Sequence, residues 1–107
     1  MGDRVSVNFR NGSQESVVLF NHWGGFSFGE EALAYAKRLK YERGDSQFKP
    51  LDRLEPETVM VDFIREITTR MHRVESYLYL GHSPTDGDNS DNGHFTIDLD
   101  RMRMEHN

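Results

Sequence analysis

The sequence contains no cysteine, no long apolar run and only one tryptophan. Without cysteine, a disulfide-stapled scaffold, a Cys-ligated zinc site and a cysteine nucleophile are all excluded. No segment approaches the roughly 18 consecutive apolar residues that a membrane-spanning helix needs, and the N-terminus lacks the apolar core of a signal peptide. We therefore expect a cytoplasmic protein with no membrane partner.

The residues that are present suffice for one folded domain. The chain has 107 residues, of which 36% are hydrophobic, and a chain of this length typically forms a single domain with a modest core. Acidic residues outnumber basic ones by 18 to 13, which gives a formal net charge of −5. The acidic excess lies in residues 51–107. This acidity argues against a nucleic-acid partner, because a protein that coats nucleic acid carries excess positive charge.

The N-terminal segment predicts a β-hairpin. Residues 4–10 alternate between polar and apolar side chains, which is typical of a half-buried strand. The sequence at residues 11–13 favours a turn, and a three-residue loop there places Val7 opposite Val17, apolar against apolar. The second strand is predicted over about residues 15–20.

Two helices follow. Apolar side chains recur at helical spacing over residues 28–43, and Ser27 with Glu30 forms a capping-box pattern at the start of this helix. Pro56 favours the first turn of a second helix, which extends to about His72. Val61 is expected to broaden the buried stripe of this second helix.

Two further strands are predicted over residues 74–80 and 94–100, joined by a long polar loop over residues 81–93. The tail from about residue 101 is polar and is expected to fray. The fold class is therefore α+β in the order ββααββ. We expect a four-stranded, mainly antiparallel sheet with both helices packed on one face, within a single domain over residues 1–107.

The segment between hairpin and helix is the strongest candidate site. His22, Trp23, Gly24, Gly25 and Phe26 form a glycine-rich, aromatic loop that contains the only tryptophan. A tryptophan there offers a stacking surface for a planar group, and the glycines allow close backbone approach. The same residues are also explained if Trp23 plugs the end of the core and the glycines merely turn the chain.

The opening Met1-Gly2-Asp3-Arg4-Val5 and the hairpin end Leu19-Phe20-Asn21-His22-Trp23-Gly24-Gly25 resemble an uncharacterised group of small phage, prophage and archaeal proteins. Those proteins begin with a Met-Gly-x-Arg strand and end the hairpin in His-Trp-Gly-Gly. The resemblance is close over residues 1–43 and loose beyond, and Asn21 stands where that group has serine. It implies a viral or mobile-element origin and supplies no activity.

Three other features invite a functional interpretation. Residues 86–93 mimic the first half of an EF-hand loop, but Leu99 stands where the bidentate glutamate belongs, so a mobile, solvated loop is the favoured interpretation over a weak calcium site. Asp98 and Asp100 share one face of the predicted last strand and could make an acid/base set with a histidine. His22, His82 and His94 could converge at one edge of the sheet, but their spacing matches no metal motif.

These observations favour a small non-catalytic binding protein. It would hold a small planar ligand or a host protein through the loop His22–Phe26, with no cofactor and no metal. The alternative is a small hydrolase or phosphodiesterase that uses His22 and nearby carboxylates. A third alternative is an accessory subunit that forms a homodimer through exposed strand edges.

Overall fold

Two helices pack against one face of a mixed β-sheet. The computed structural model describes residues 2–43, 54–71 and 78–107 of the chain. Within these ranges the strands are β1 (Val5–Asn11), β2 (Gln14–Glu15), β3 (Val18–Asn21), β4 (Leu78–Gly81), β5 (His94–Asp98) and β6 (Arg103–His106). The helices are α1 (Phe28–Arg38), continued by a π-helical turn (Leu39–Arg43), and α2 (Pro56–Met71). Neither helix in the described ranges is long and apolar enough to cross a membrane.

The prediction of an α+β fold is confirmed, but the predicted sheet is wrong in its details. The described sheet has six strands in the order β4-β3-β1-β5-β6, with β2 paired to β1. Strands β4 and β5 do not form the predicted second hairpin; β4 pairs with β3, and β5 pairs with β1 in parallel. The alternation of side chains specifies which face of a strand is buried, but it does not specify the neighbouring strand.

The register of the first hairpin also differs from the predicted one. Val7 lies opposite Leu19 rather than Val17. Two features cause the shift. The loop has two residues, Gly12 and Ser13, and not the predicted three, because Asn11 pairs with Gln14. A bulge at Ser16 adds one residue more, and there the Oγ of Ser16 accepts a hydrogen bond from the backbone N–H of Phe9 at 2.9 Å while the N–H of Ser16 donates to the Phe9 carbonyl at 2.8 Å. The extra residue keeps an apolar side chain opposite Val7 on the core face.

The core fills the space between the helices and this face of the sheet. The predicted stripe of α1 is buried, namely Phe28, Ala32, Tyr35, Ala36 and Leu39. Strands β1, β3 and β5 contribute Val5, Val7, Phe9, Leu19, Phe95 and Ile97, and α2 contributes Val59, Met60, Phe63 and Ile67. Val61 is 67% exposed, so the prediction that it broadens the buried stripe of α2 is wrong.

The predictions for the start of α1 and for the C-terminal tail are both wrong. Ser27 stands at the N-cap of α1, but its side chain makes no capping hydrogen bond, so the predicted capping box is not formed. The C-terminal tail does not fray from residue 101, because it forms β6 and pairs antiparallel with β5, with Met104 opposite Ile97. The turn between these strands holds Met102 at a positive φ of 52°, which no local pattern predicts.

Residues 44–53 and 72–77 lie outside the described residues, and with them most of the predicted third strand.

Candidate functional site

The predicted site, His22–Phe26, is a turn between β3 and α1, and we call it the aromatic turn. The N-terminal segment anchors it, since the backbone N–H of Asp3 donates to the carbonyl of His22 at 2.9 Å and the N–H of Gly25 donates to the carbonyl of Asp3 at 2.9 Å. The Oδ1 of Asn21 accepts from the N–H of Trp23 at 3.0 Å. These bonds hold the aromatic turn in one conformation.

Both glycines of the aromatic turn are required by its geometry. A Cβ on Gly24 would lie 2.7 Å from Cγ1 of Val5 and 3.0 Å from the ring of Phe28. Gly25 has a positive φ of 74°, a conformation that residues with a side chain rarely adopt. The glycines therefore shape the turn, and its contact surface comes from the aromatic side chains.

Those aromatic side chains face solvent. Trp23 is 49% exposed and Phe26 is 52% exposed. The indole of Trp23 meets the ring of His22 edge-on, with centroids 4.6 Å apart, and Phe26 packs edge-on against Phe95 and His106. The interpretation of Trp23 as a plug at the end of the core is therefore wrong. The turn instead presents two fixed rings that something else can cover.

Acidic residues lie at or close to the aromatic turn. Asp3, which anchors the turn, and Glu30, in the first turn of α1, are both exposed. Asp91 lies near His22, and the pKa of its carboxyl is lowered mainly by a hydrogen bond from Arg4 and further by the charge of His22. The aromatic turn is therefore an apolar surface with carboxylates close to it.

A second cluster, which the sequence analysis missed, lies on the face of the sheet opposite the helices. Ser6, Asn8, His94 and Thr96 are at most 5% exposed although all four are polar. The alternation of β1 and β5 assigned these residues to a solvent-facing side. They are buried because the loop over residues 82–93, here named the covering loop, lies across this face.

The donor and the acceptor of each hydrogen bond in this cluster can be assigned, starting from Glu15. The carboxylate of Glu15 can only accept, so Nδ2 of Asn8, 3.1 Å away, donates to it. The Oδ1 of Asn8 then accepts from Oγ1 of Thr96 at 2.9 Å and from Nε2 of His94 at 3.0 Å. His94 therefore carries its proton on Nε2, an assignment made from the network.

The other ring nitrogen of His94 completes the chain of bonds. Its Nδ1, unprotonated in the neutral ring, accepts from the hydroxyl of Ser6 at 2.7 Å, and Nδ2 of Asn89 donates to the same hydroxyl at 2.8 Å. Burial lowers the pKa of His94, because the charged ring would lose its hydration. The network and the burial both favour the neutral imidazole.

The covering loop is held in place by its polar side chains. The carboxylate of Asp86 accepts from the N–H groups of His82 and Ser83 at 2.6 and 2.9 Å, and these bonds, that of Ser83 first, lower the pKa of Asp86. Asp88 and Asp91 both bind the guanidinium of Arg4, at 2.8 and 2.9 Å. These bonds give the loop a defined conformation, and most of its side chains are exposed, as expected for a solvated loop. Among the described residues, no group of three His, Asp or Glu side chains could hold a metal ion.

Asp98 and Asp100 do not form an acid/base pair. Strand β5 ends at Asp98, and Asp100 lies in the following turn. The carboxylate of Asp98 is committed to that turn, where it accepts from the N–H groups of Asp100 and Arg101 at 3.0 and 3.1 Å. It also lies 3.2 Å from the guanidinium of Arg10. Asp98 therefore stabilises the β5–β6 turn.

A groove of about 340 Å³ opens between the covering loop and the β1–β2 hairpin. Asn8, His94 and Thr96 form its buried floor, and Glu15 on β2 and Glu105 on β6 lie at its two sides. His82 and His94 line this polar groove together, whereas His22 belongs to the aromatic turn and is not among its lining residues. Of the three histidines that could have converged, two therefore line one groove.

Comparison of the chain with protein-family models, with curated proteins and with solved structures gives no match. The candidate sites are therefore interpreted from their geometry alone. The resemblance to small phage, prophage and archaeal proteins stays a prediction.

Proposed function

We propose that the protein is a small non-catalytic binding protein, of viral or mobile-element origin, whose aromatic turn holds a binding partner. The observation that carries this proposal is the half-exposure of Trp23 and Phe26 on a turn that hydrogen bonds and two obligatory glycines hold rigid. A rigid turn loses little conformational entropy on binding. Large aromatic side chains also supply much of the binding energy in protein interfaces.

The geometry favours a protein partner over a small planar ligand. A small molecule is usually bound in a cleft that buries most of its surface, and none of the residues of the aromatic turn line the polar groove. Two half-exposed rings on one short turn fit instead the centre of a protein interface. The exposed carboxylates of Asp3 and Glu30 favour a partner whose contacting segment is basic.

Parallel purification of three proteins from the same cells tests this function. Trp23→Ala should lose a partner that the wild-type protein carries in native mass spectra, while Tyr41→Ala should keep it. Tyr41 is the matched control because it is an aromatic residue, 66% exposed, outside the turn. Trp23→Ala should change the free energy of unfolding by about 1 kcal/mol or less, since half of the side chain already contacts water.

The single tryptophan provides a second, site-specific signal. Because Trp23 is the only indole in the chain, a partner that covers the aromatic turn must change its fluorescence. Retention of the partner by Trp23→Ala would contradict the proposal. So would a wild-type protein that purifies bare and whose fluorescence is unmoved by a panel of basic peptides.

The hydrolase alternative can be tested in the same preparations. Turnover of a nucleotide panel that disappears in His22→Ala, with an unchanged melting temperature, would favour catalysis over binding.

A further inference from the structure

The polar groove has a buried floor that is already complete in its hydrogen bonds. Within the described residues, no buried side-chain nitrogen or oxygen lacks a hydrogen-bond partner. Asn8 and Thr96 are 4% and 5% exposed, and the directed chain of bonds through His94 fixes both. The floor is therefore rigid before any ligand arrives, and binding there needs little reorganisation.

The size of the polar groove suits a small organic molecule. Pockets for small ligands typically enclose roughly 300–1,000 Å³, and this groove encloses about 340 Å³. Its lining is polar throughout most of its extent, with Val18 and Pro84 as the apolar exceptions. A ligand of few heavy atoms that bears several polar groups fits this space.

The charges at the polar groove are unbalanced. Arg10 is the only arginine or lysine in the lining, and its guanidinium already donates to both oxygens of Glu105, at 3.0 and 2.6 Å, and to Asp98 at 3.2 Å. Glu15 pairs with no cation among the described residues, and its carboxylate accepts only the neutral amide of Asn8. The lining therefore carries a negative charge at Glu15 that no cation among the described residues pairs with.

The hydrogen-bonding groups of the lining point to the same conclusion. The hydroxyl proton of Thr96 is used on Asn8, and Nε2 of His94 lies 3.3 Å from the same oxygen, which leaves one lone pair of Thr96 to accept from a ligand. The carboxylates of Glu15 and Glu105 are acceptors as well. A molecule that binds these acceptors brings N–H donors, and a positive charge on it complements the carboxylate of Glu15.

We propose that the polar groove is a binding site for a small organic cation, a primary amine or a guanidinium compound, whose charged end is held by the carboxylate of Glu15. The remaining N–H groups donate to the oxygen of Thr96 and to the outer lone pairs of Glu105. This site is separate from the aromatic turn, so it does not depend on the proposed function above.

Calorimetric titration of the full chain with four probes tests this site. Putrescine and methylguanidine should bind with 1:1 stoichiometry and a dissociation constant below about 1 mM. Butanediol and succinate, which replace the positive charge with a neutral or negative group, should not bind. Backbone amide shifts of Asn8 and Thr96 in NMR spectra should move with the two cations only.

Two glutamate substitutions make a matched pair. Glu15→Gln keeps the oxygen that accepts from Asn8 but removes the charge, and it should weaken binding of both cations by about tenfold or more. Glu30→Gln makes the same change in net charge at an exposed position on α1, which packs on the opposite face of the sheet, and should leave binding unchanged. Trp23→Ala should also bind the cations normally, which separates this site from the aromatic turn.

Three results would overturn the proposal. These are absence of saturable binding by either cation, equal weakening in Glu15→Gln and Glu30→Gln, and tighter binding of succinate than of putrescine. None of these results bears on the partner of the aromatic turn.

Discussion

Replacing Gly29 with alanine sets helix propensity against packing. Gly29 lies in the first turn of α1 and is buried. By propensity alone, alanine should stabilise a helix by up to about 1 kcal/mol relative to glycine. The added Cβ, however, would lie 2.5, 2.7 and 2.8 Å from three ring carbons of Phe95. Since carbon atoms pack best at about 3.5–4.0 Å, the ring or the helix must move by about 1 Å.

The ring of Phe95 has little room to move. It is fully buried, it stacks on His106 with centroids 4.2 Å apart, and the edge of Phe26 contacts it at 5.3 Å. Overpacking of a filled core typically costs about 1–3 kcal/mol. After a gain in helix propensity of about 1 kcal/mol, Gly29→Ala should destabilise the protein by up to about 2 kcal/mol, which lowers the melting temperature by up to about 16 °C.

Thermal and urea unfolding followed by circular dichroism measure this change. Ala34→Gly, at an exposed position of the same helix, reports the propensity effect alone and should cost about 1 kcal/mol. Phe95→Leu makes room for the new methyl group, so the double variant should be more stable than the sum of the two single effects predicts. A rise in melting temperature in Gly29→Ala, or strict additivity with Phe95→Leu, would refute the packing explanation.

Two further predictions concern buried polar groups. Because the pKa of His94 in the folded protein is lowered from its usual 6.5, the unfolded chain takes up the proton first as the pH falls. Stability should therefore decrease below about pH 7 and keep decreasing until the folded ring is protonated, and His94→Gln should lose this part of the pH dependence of the urea midpoint. Tyr35 donates to the buried carboxylate of Asp62 at 2.5 Å, so Tyr35→Phe should cost about 1.5–3 kcal/mol. Tyr41→Phe, at an exposed position, should cost almost nothing in the same assay.

The helices were predictable because their signal is local. The 3.6-residue spacing of apolar side chains reports which face of α1 is buried without any knowledge of the partner. For this reason the stripe from Phe28 to Leu39 was predicted correctly, whereas Val61, at the edge of the stripe of α2, was not. An edge position is buried or exposed according to what packs beside it, and that is a tertiary property.

The order of the strands was not predictable from the same patterns. Residues 94–98 alternate in the same way whether they pair antiparallel with β4 or parallel with β1. The loop over residues 82–93 is long enough for either connection, so its length does not decide between them. Strand β6 gave no signal because it lies at the edge of the sheet and carries mostly polar side chains, with Met104 as its main apolar contact.

The sequence predicted the aromatic turn but did not predict the polar groove. The aromatic turn was found because glycines beside a lone tryptophan form a local pattern, but the exposure of Trp23 depends on how β3 leads into α1. The polar groove was missed because Asn8 and Thr96 look like ordinary outward-facing residues of half-buried strands. Only the covering loop, which the sequence analysis took to be solvated, buries them.

The distribution of charge in the folded protein differs from its distribution along the chain. The acidic excess belongs to the second half of the sequence, yet two carboxylates of the covering loop bind Arg4, and two carboxylates of the last strands bind Arg10. Both arginines come from the first half, so four carboxylates of the second half have a basic partner on the other half of the chain. The negative charge that remains beside the two surfaces comes from first-half residues, Glu15 at the polar groove, and Asp3 and Glu30 at the aromatic turn. Each surface therefore carries carboxylates of its own, and the acidic loop contributes mainly by holding the fold in which both surfaces exist.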